Sequence, residues 1–319
     1  MHEFEKIIVI TKKTALEELI ERFNTREQAR FYIEHMGASF EEYEVAHDVY
    51  KGALQRLKSA LPQSVRVQCI ERTFLPTFTF GEHDLVVTLG PDGLVVNTAK
   101  YLTTQPLLAL NPDPRRIDGV LVPFWADYGA AITHQVLRGH FVVKKVAMAR
   151  ATLNDGQELH AVNDLFIGQT SHISARYCLR LGQQAENQSS SGIIVSTGAG
   201  STGWLRSVIT GAARVMQAVA PADANGARAN GGAVGDYRLD WEAEQLVFSV
   251  REPFVSKVSG AELAFGRIAG EEPLEITSHM PQNGVIFSDG VQEDYLAFNS
   301  GAIARIGVAE RKLHLIVHA

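Results

Sequence analysis

The sequence predicts an α/β domain followed by an all-β domain: a doubly wound parallel sheet over residues 1–125, then a mainly antiparallel β-sandwich over residues 126–319. Three observations carry this. Lys6-Ile7-Ile8-Val9-Ile10-Thr11 is a short β-branched run, apolar at every inner position, as a parallel strand covered on both faces requires. Further strand candidates at 65–71, 85–89 and 107–110 alternate with helical stretches, the pattern of a parallel sheet. After about Trp125, short strands follow one another with a single helix among them, the pattern of a sandwich.

Taken in order, residues 6–11 form the first strand. Thr25-Arg26-Glu27-Gln28 has the spacing of a capping box; Ala29, Tyr32, Ile33 and Met36 then recur at helical intervals, and Gly37 stands where a helix would be capped. A second helix is expected over residues 40–60. Strands at 65–71, 85–89 and 107–110 complete the first domain. In the second, strands are expected at 159–167, 175–181, 192–196, 244–250, 274–277, 284–288, 302–307 and 313–317, with one helix at 202–217. The last of these is a candidate to return to the first domain. Residues 218–235 are rich in Ala, Gly and Asn, carry little that is large enough to bury, and read as a mobile loop.

With 319 residues, 45% of them hydrophobic, the chain can build two cores. Thirty-six acidic against thirty basic residues give a net charge of -6, which excludes general attraction to nucleic acid or to an anionic membrane. Two cysteines, Cys69 and Cys178, are too few for a disulfide framework and suit a reducing cytoplasm. The N-terminus has none of the features of a signal peptide, and no apolar stretch reaches the length of a membrane span. The 11 histidines show no metal-ligand spacing, so no structural metal is expected.

Three places carry candidate chemistry. Leu89-Gly90-Pro91-Asp92-Gly93 runs a buried strand into a glycine-flanked turn with one carboxylate, and ligands of open α/β sheets bind beyond such strand ends. Asp92 is the candidate acid; a plain turn is the competing reading. Asn163-Asp164 interrupts the apolar run 159–167, and two polar residues there need hydrogen-bond partners. Those partners are either neighbouring strands or a ligand with vicinal hydroxyls, such as a ribose. Ser196-Thr197-Gly198-Ala199-Gly200-Ser201-Thr202-Gly203-Trp204 leads from a strand into the expected helix, where its N–H groups and hydroxyls would converge on a phosphate. Its G-x-G-x-x-G spacing is not a dinucleotide fingerprint, because the only acid at the right distance, Asp223, falls in the expected loop and not at the end of a second parallel strand. A serine-hydrolase elbow fails as well, since Ala199 stands two before Ser201.

Together with Ser288-Asp289-Gly290-Val291-Gln292, these segments stand in the order of the NAD kinase motifs, and the chain resembles that family. The family pattern is Gly-Gly-Asp-Gly, Asn-Glu, Ser-Thr-x-x-Gly-Ser-Thr-Ala-Tyr and Asp-Gly-Gln. Asn111-Pro112-Asp113-Pro114, Phe166-Ile167-Gly168, Ser190-Ser191-Gly192 and Val250-Arg251-Glu252-Pro253 are most similar to its mitochondrial-type branch. The resemblance spans roughly residues 84–307.

It implies an α/β domain plus a β domain with the active site in the cleft between them, and transfer of the ATP γ-phosphoryl group to the 2′-hydroxyl of the adenosine ribose of NAD. ATP and NAD are the implied partners, with Mg²⁺ accompanying ATP. Asp92 would be the base or anchor for that hydroxyl, and Gly90 and Gly93 would give phosphates room. Asn163 and Asp164 would hold ribose or adenine; Thr197, Gly200, Ser201 and Thr202 would line the nucleotide site; Asp289 and Gln292 form the late motif. Lys12, Lys13, Arg115 and Arg116 are candidates to contact the triphosphate, and a homodimer or higher homo-oligomer is implied. The chain also departs from the pattern: Pro91 replaces a glycine and removes an N–H, Leu94 replaces a threonine, and Asp164 replaces the glutamate. Two alternatives follow: a related kinase acting on another sugar or lipid hydroxyl, and a nucleotide-binding sensor that has lost catalysis through Pro91 and Leu94.

Overall fold

The computed structural model describes residues 4–219, 237–270 and 272–318, apart from the side chains of Gln292 and Glu293. The loop expected at 218–235, with Asp223, lies outside the described residues beyond Val219. The chain divides into two compact units, one of Met1–Lys144 with Leu313–Ala319, the other of Lys145–Lys312. The change of pattern read near Trp125 precedes this division.

Unit 1 contains β1 (Lys6–Thr11), α1 (Ala15–Phe23), α2 (Arg26–His35), α3 (Phe40–Ala60), β2 (Arg66–Glu71), β3 (Asp84–Leu89), α4 (Asp92–Ala99), β4 (Pro106–Asn111), β5 (Phe124–Trp125) and α5 (Gly129–Leu137). The principal strands lie parallel in the order β2-β1-β3-β4, and His314 and Leu315 pair in parallel with Pro106 and Leu107 on the far side of β4. Ile7, Ile8, Val9 and Ile10 are fully buried, as the unbroken apolar run demands, whereas β2 forms an exposed edge. Tyr50, Ala53 and Leu57 of α3 and Val136 of α5 pack on β1, β3 and β4. α1 and α2 begin on side-chain caps. Thr14 and Glu17 exchange capping-box bonds at the start of α1, the Thr25 hydroxyl accepts from the Gln28 N–H at 3.1 Å, and Gly37 follows α2 at φ +78°.

One expectation changes here. Gly90-Pro91-Asp92-Gly93 is not a free turn, because Pro91 is the N-cap of α4 and Asp92 its first residue. Proline suits a helix start, where its missing N–H costs nothing within the helix, and an acid in the first turn suits the positive end of the helix dipole.

Unit 2 contains β6 (Val142–Leu153, entering from unit 1), β7 (Glu158–Ala161), β8 (Asp164–Gln169), β9 (Ala175–Leu181), β10 (Gln184–Ser190), β11 (Ile193–Ser196), α6 (Trp204–Val219), β12 (Gln245–Val250), β13 (Phe265–Ala269), β14 (Leu274–Ser278), β15 (Gly284–Ser288), β16 (Val291–Ala297) and β17 (Ile303–Val317). One sheet is antiparallel throughout in the order β13-β12-β11-β8-β15-β16. The other runs β10-β9-β14-β17, with β6 joining β17 to β7. Leu165, Ile167, Ile193, Val195, Phe248 and Ile286 of the first sheet meet Tyr177, Leu179, Ile276, Ala304 and Ile306 of the second in one core. This is a β-sandwich, as expected.

Two readings of strands and one of a helix start are corrected. Residues 159–167 are two strands, β7 and β8, broken at Val162 and Asn163, so Asn163 stands in a bend and Asp164 opens β8. Residues 302–307 and 313–317 form one strand, β17, whose residues from Leu313 onward belong to unit 1. The helix expected at 202–217 begins at Trp204, after a 3-10 turn over Gly200–Thr202.

Candidate functional site

In unit 1, strand order 2-1-3-4 reverses direction between β1 and β3, so the carboxyl ends of these two strands are the topological switch point where α/β sheets bind ligands. Thr11-Lys12-Lys13 and Gly90-Pro91-Asp92 stand there. Tyr50 joins the two ends: the Lys12 N–H donates to its hydroxyl at 3.0 Å, and the hydroxyl donates to the Leu89 carbonyl at 3.2 Å. Burial pushes the Tyr50 phenol up to about 12, so it remains a neutral donor.

The Asp92 carboxylate accepts from the Leu121 N–H at 2.8 Å and the Val120 N–H at 3.0 Å. These two bonds fix the carboxylate at the first turn of α4 and leave lone pairs able to accept further hydrogen bonds. Gly90 is buried, with its N–H on the Leu110 carbonyl, and Gly93 is exposed with open space where a Cβ would stand. Leu94 is 2% exposed, so the position where the family has a threonine is part of the core. Lys13 pairs with Glu21 at 2.6 Å, and Arg116 reaches Asp113 at 3.9 Å. The side chains of Lys12 and Arg115 have no partner among the described residues.

In unit 2, the break between β7 and β8 is held from two sides. The Asp289 carboxylate accepts the N–H groups of Val162 at 3.1 Å, Asn163 at 2.7 Å and Asp164 at 3.3 Å, while the Asp289 N–H donates to the Asp164 carbonyl at 2.9 Å. The Thr197 hydroxyl donates to the Val162 carbonyl, and the Thr197 N–H to the Asn163 carbonyl at 2.9 Å. Among the described residues the Asn163 carboxamide has no hydrogen-bond partner. Asp164 Oδ1 is buried without a partner. Burial pushes the Asp164 carboxyl up to about 7; Asp289 adds to that shift and the Ser196 side chain opposes it.

The glycine-rich segment satisfies itself. Gly200 N–H donates to the Thr197 hydroxyl at 3.2 Å, the Ser201 hydroxyl to the Gly198 carbonyl at 2.7 Å, and the Thr202 hydroxyl to the Ala199 carbonyl at 3.4 Å. A Cβ at Gly198 would lie 2.0 Å from the Asp240 oxygen, and one at Gly200 would lie 2.2 Å from the Asn163 oxygen. These glycines let backbone meet backbone. The hydroxyls of Thr197 and Ser201, both fully buried, shape the turn, and Gly200 presses on the bend that carries Asn163. The strand, the 3-10 turn and the bend thus form one unit.

Beside this unit lies a cavity of about 370 Å³ lined by Phe166, Trp204, Arg251, Phe287 and Tyr295 among others. The Phe166 and Trp204 rings are nearly parallel with centroids 5.8 Å apart, and the Arg251 guanidinium lies over Trp204 at 5.5 Å. The Phe166 ring fits because Gly168 and Gly192 flank it; a Cβ at either would come within 2.7 Å of the ring. This accounts for two of the glycines in the branch-like segments. Two apolar cavities in unit 1, about 470 and 490 Å³, share Phe124, Ile132, Gln135 and His318, and none of the predicted site residues lines them. Among the described residues no group of three or more His, Cys, Asp or Glu side chains is placed to hold a metal ion, and no helix is long and apolar enough to cross a membrane.

No family model matches the chain. Curated NAD kinases from Chlorobium phaeobacteroides and Clostridium kluyveri match it at 29% identity, over 126 and 129 residues, 38% of this chain in each case. The match spans less than half the length of these relatives, 43% and 44%. Whole-fold comparison extends the likeness. Yeast NADH kinase, solved in complex with NADH, superposes with a TM-score of 0.60 over 98% of this chain and 84% of that one, at 15% identity. The chain is therefore similar to NAD kinases in part of its sequence and shares their fold. An NAD kinase from Archaeoglobus fulgidus, solved in complex with ATP, gives 0.57 over 98% of this chain and 93% of that one, also at 15% identity.

Within this fold the structure gathers Asn163, Asp164, Thr197, Gly200 and Asp289 into one cluster. It sets Asp92, Gly90 and Lys12 at one strand-end switch point. Gln292 lies on β16, and its side chain is outside the described residues. Sequence reasoning missed Tyr50, the Val120-Leu121 amides and the cavity wall of Trp204, Phe287 and the Arg251 guanidinium. Tyr50 is a buried aromatic on a helix, which sequence alone cannot tell from core, and amide donors carry no side-chain signature.

Proposed function

We propose that this protein is an NAD kinase, transferring the γ-phosphoryl group of Mg-ATP to the 2′-hydroxyl of the adenosine ribose of NAD to give NADP. The observation that carries the reading is the pair formed by the Asn163 carboxamide and the buried, unpartnered Oδ1 of Asp164 on a backbone bend. A buried polar atom without a partner is costly, and a vicinal diol supplies the missing donors. Asp92 supports the second half of the reaction. Held by two amides, it accepts the hydroxyl proton late, because a ribose hydroxyl ionises far above pH 7. Lys12 and Arg115 are the cations we assign to the triphosphate. Positioning and charge neutralisation dominate such transfers, so the protein's task is to hold two substrates in line.

Purified protein with Mg-ATP and NAD, followed by an NADP-specific dehydrogenase, tests this. The expected result is NADP formation that falls by about 10²- to 10⁴-fold in Asp92→Asn. No NADP above that control would retire the assignment. A second reading, a nucleotide-binding sensor, is favoured by Pro91 and by the burial of Leu94, which remove an N–H and a hydroxyl from the phosphate side. Binding of both nucleotides without turnover, with turnover gained in Pro91→Gly, would select it. We further propose a cytoplasmic homodimer or higher homo-oligomer of the mitochondrial-type branch; light scattering of the purified protein checks the assembly.

A further inference from the structure

We propose that Asp289 is a positioning residue for the nucleoside-binding bend, fixing through three backbone bonds the direction in which the Asn163 carboxamide and the Asp164 carboxyl face their ligand. The inference rests on the reading above that these two side chains meet the nucleoside. It begins from the backbone. Val162, Asn163 and Asp164 lie where β7 stops and β8 starts, and a bend that leaves a strand ladder strands its N–H and C=O groups unless something replaces the ladder. All six groups are accounted for. One carboxylate takes the three N–H groups, Thr197 takes the carbonyls of Val162 and Asn163, and the Asp289 N–H takes that of Asp164.

Three consecutive N–H groups converging on one point form a nest for an anion, and Asp289 supplies that anion from within the chain. Its backbone is bent to do so. Asp289 sits at φ +54° and Gly290 at φ +72°, in the left-handed region that few residues other than glycine, asparagine and aspartate adopt. Asparagine could keep that backbone but not the nest, because its amide offers one acceptor oxygen and turns an NH₂ group toward donors. The charge also reaches the ligand side. Asp289 is among the groups that favour the protonated form of Asp164, so the bend presents a carboxyl able to donate as well as accept near neutrality.

The test is Asp289→Asn, with Asp289→Glu as the charge-keeping control, in the full chain. Backbone amide exchange at Val162, Asn163 and Asp164 reads the bend, and calorimetric titration with NAD and separately with Mg-ATP reads the site. In Asp289→Asn the three amides should exchange at least about tenfold faster and NAD affinity should fall about tenfold or more, with Mg-ATP affinity within about twofold and the far-UV spectrum unchanged. Asp289→Glu should fall between wild type and Asp289→Asn on both readouts. Unchanged NAD affinity in Asp289→Asn, or equal weakening of both nucleotides with the three amides still protected, would overturn the proposal. Wild-type protein that binds no NAD would overturn the reading of the site instead, while amide exchange still reports the bend without any ligand.

Discussion

A methyl group at residue 200 would meet the carbonyl oxygen of Asn163 at 2.2 Å, and that nearest atom is backbone and not the end of a flexible side chain. Gly200→Ala should therefore cost about 2–4 kcal/mol of stability in chemical denaturation, more than a surface glycine would. A cost below about 0.5 kcal/mol would show that the bend relaxes freely. Asp164 gives a second residue-level expectation. Its folded carboxyl titrates at about 7 against an ordinary 3.8, so the native state holds a proton that the unfolded chain releases. Its contribution is fully present below about pH 4 and is lost as pH rises through 7. Asp164→Asn, neutral at every pH, should flatten this slope: its melting temperature relative to wild type should rise by a few degrees between pH 5 and pH 8. A parallel pH profile in the two proteins would mean that Asp164 is not held in its protonated form.

At the scale of elements, Tyr50 on α3 ties the ends of β1 and β3 together through one accepted and one donated bond. Tyr50→Phe keeps the ring in the core and leaves the Lys12 N–H and the Leu89 carbonyl without it. The expected loss is about 1–2 kcal/mol in thermal or urea unfolding, and as a kinase the variant should show a higher KM for ATP, since Lys12 loses its anchor. An unchanged KM would free Lys12 from any role set by that bond. Most elements were legible because one signal dominated: β1, α3, β9 and β15 keep the bounds expected for them, through strong apolar runs or long helical periodicity. Others were hidden. β6 mixes Lys144, Lys145 and Arg150 with Ala and Met, and β10, Gln184–Ser190, is almost wholly polar, so only its pairing with β9 makes it a strand. The break at Val162 and Asn163 was hidden for a different reason: apolar residues flank it on both sides, and the group that holds it, Asp289, is more than a hundred residues away in sequence.

For the whole molecule, the chain leaves unit 1 after Lys144 and returns to it at Leu313. Leu313, Leu315 and Ile316 are each at most 1% exposed, and β4 has residues of this last segment as a parallel neighbour. Burying three such side chains contributes about 5–8 kcal/mol, comparable to the net stability of a domain. Removing residues 313–319 should therefore leave the protein insoluble or without a cooperative thermal transition, while a truncation of Ala319 alone should not. A soluble, cooperatively folding product lacking 313–319 would show that β4 closes the sheet by itself. The resemblance to NAD kinases was legible from four short motifs in order, and the likeness of fold holds over 98% of the chain at 15% identity. Sites are preserved by chemistry at a few positions, whereas a fold tolerates wide exchange of one apolar side chain for another.

The two classes of architecture, the first strand and the long helix over residues 40–60 could be read from the chain alone, because period and residue type are local properties. It took the folded chain to show that Asp92 opens a helix, that the hydroxyls of Thr197 and Ser201 bond within the turn, and that Asp289 grips the bend at Asn163 and Asp164. Those outcomes depend on which backbone groups are left unpaired after distant segments meet, and a buried N–H or carbonyl must find a partner wherever in the chain it lies.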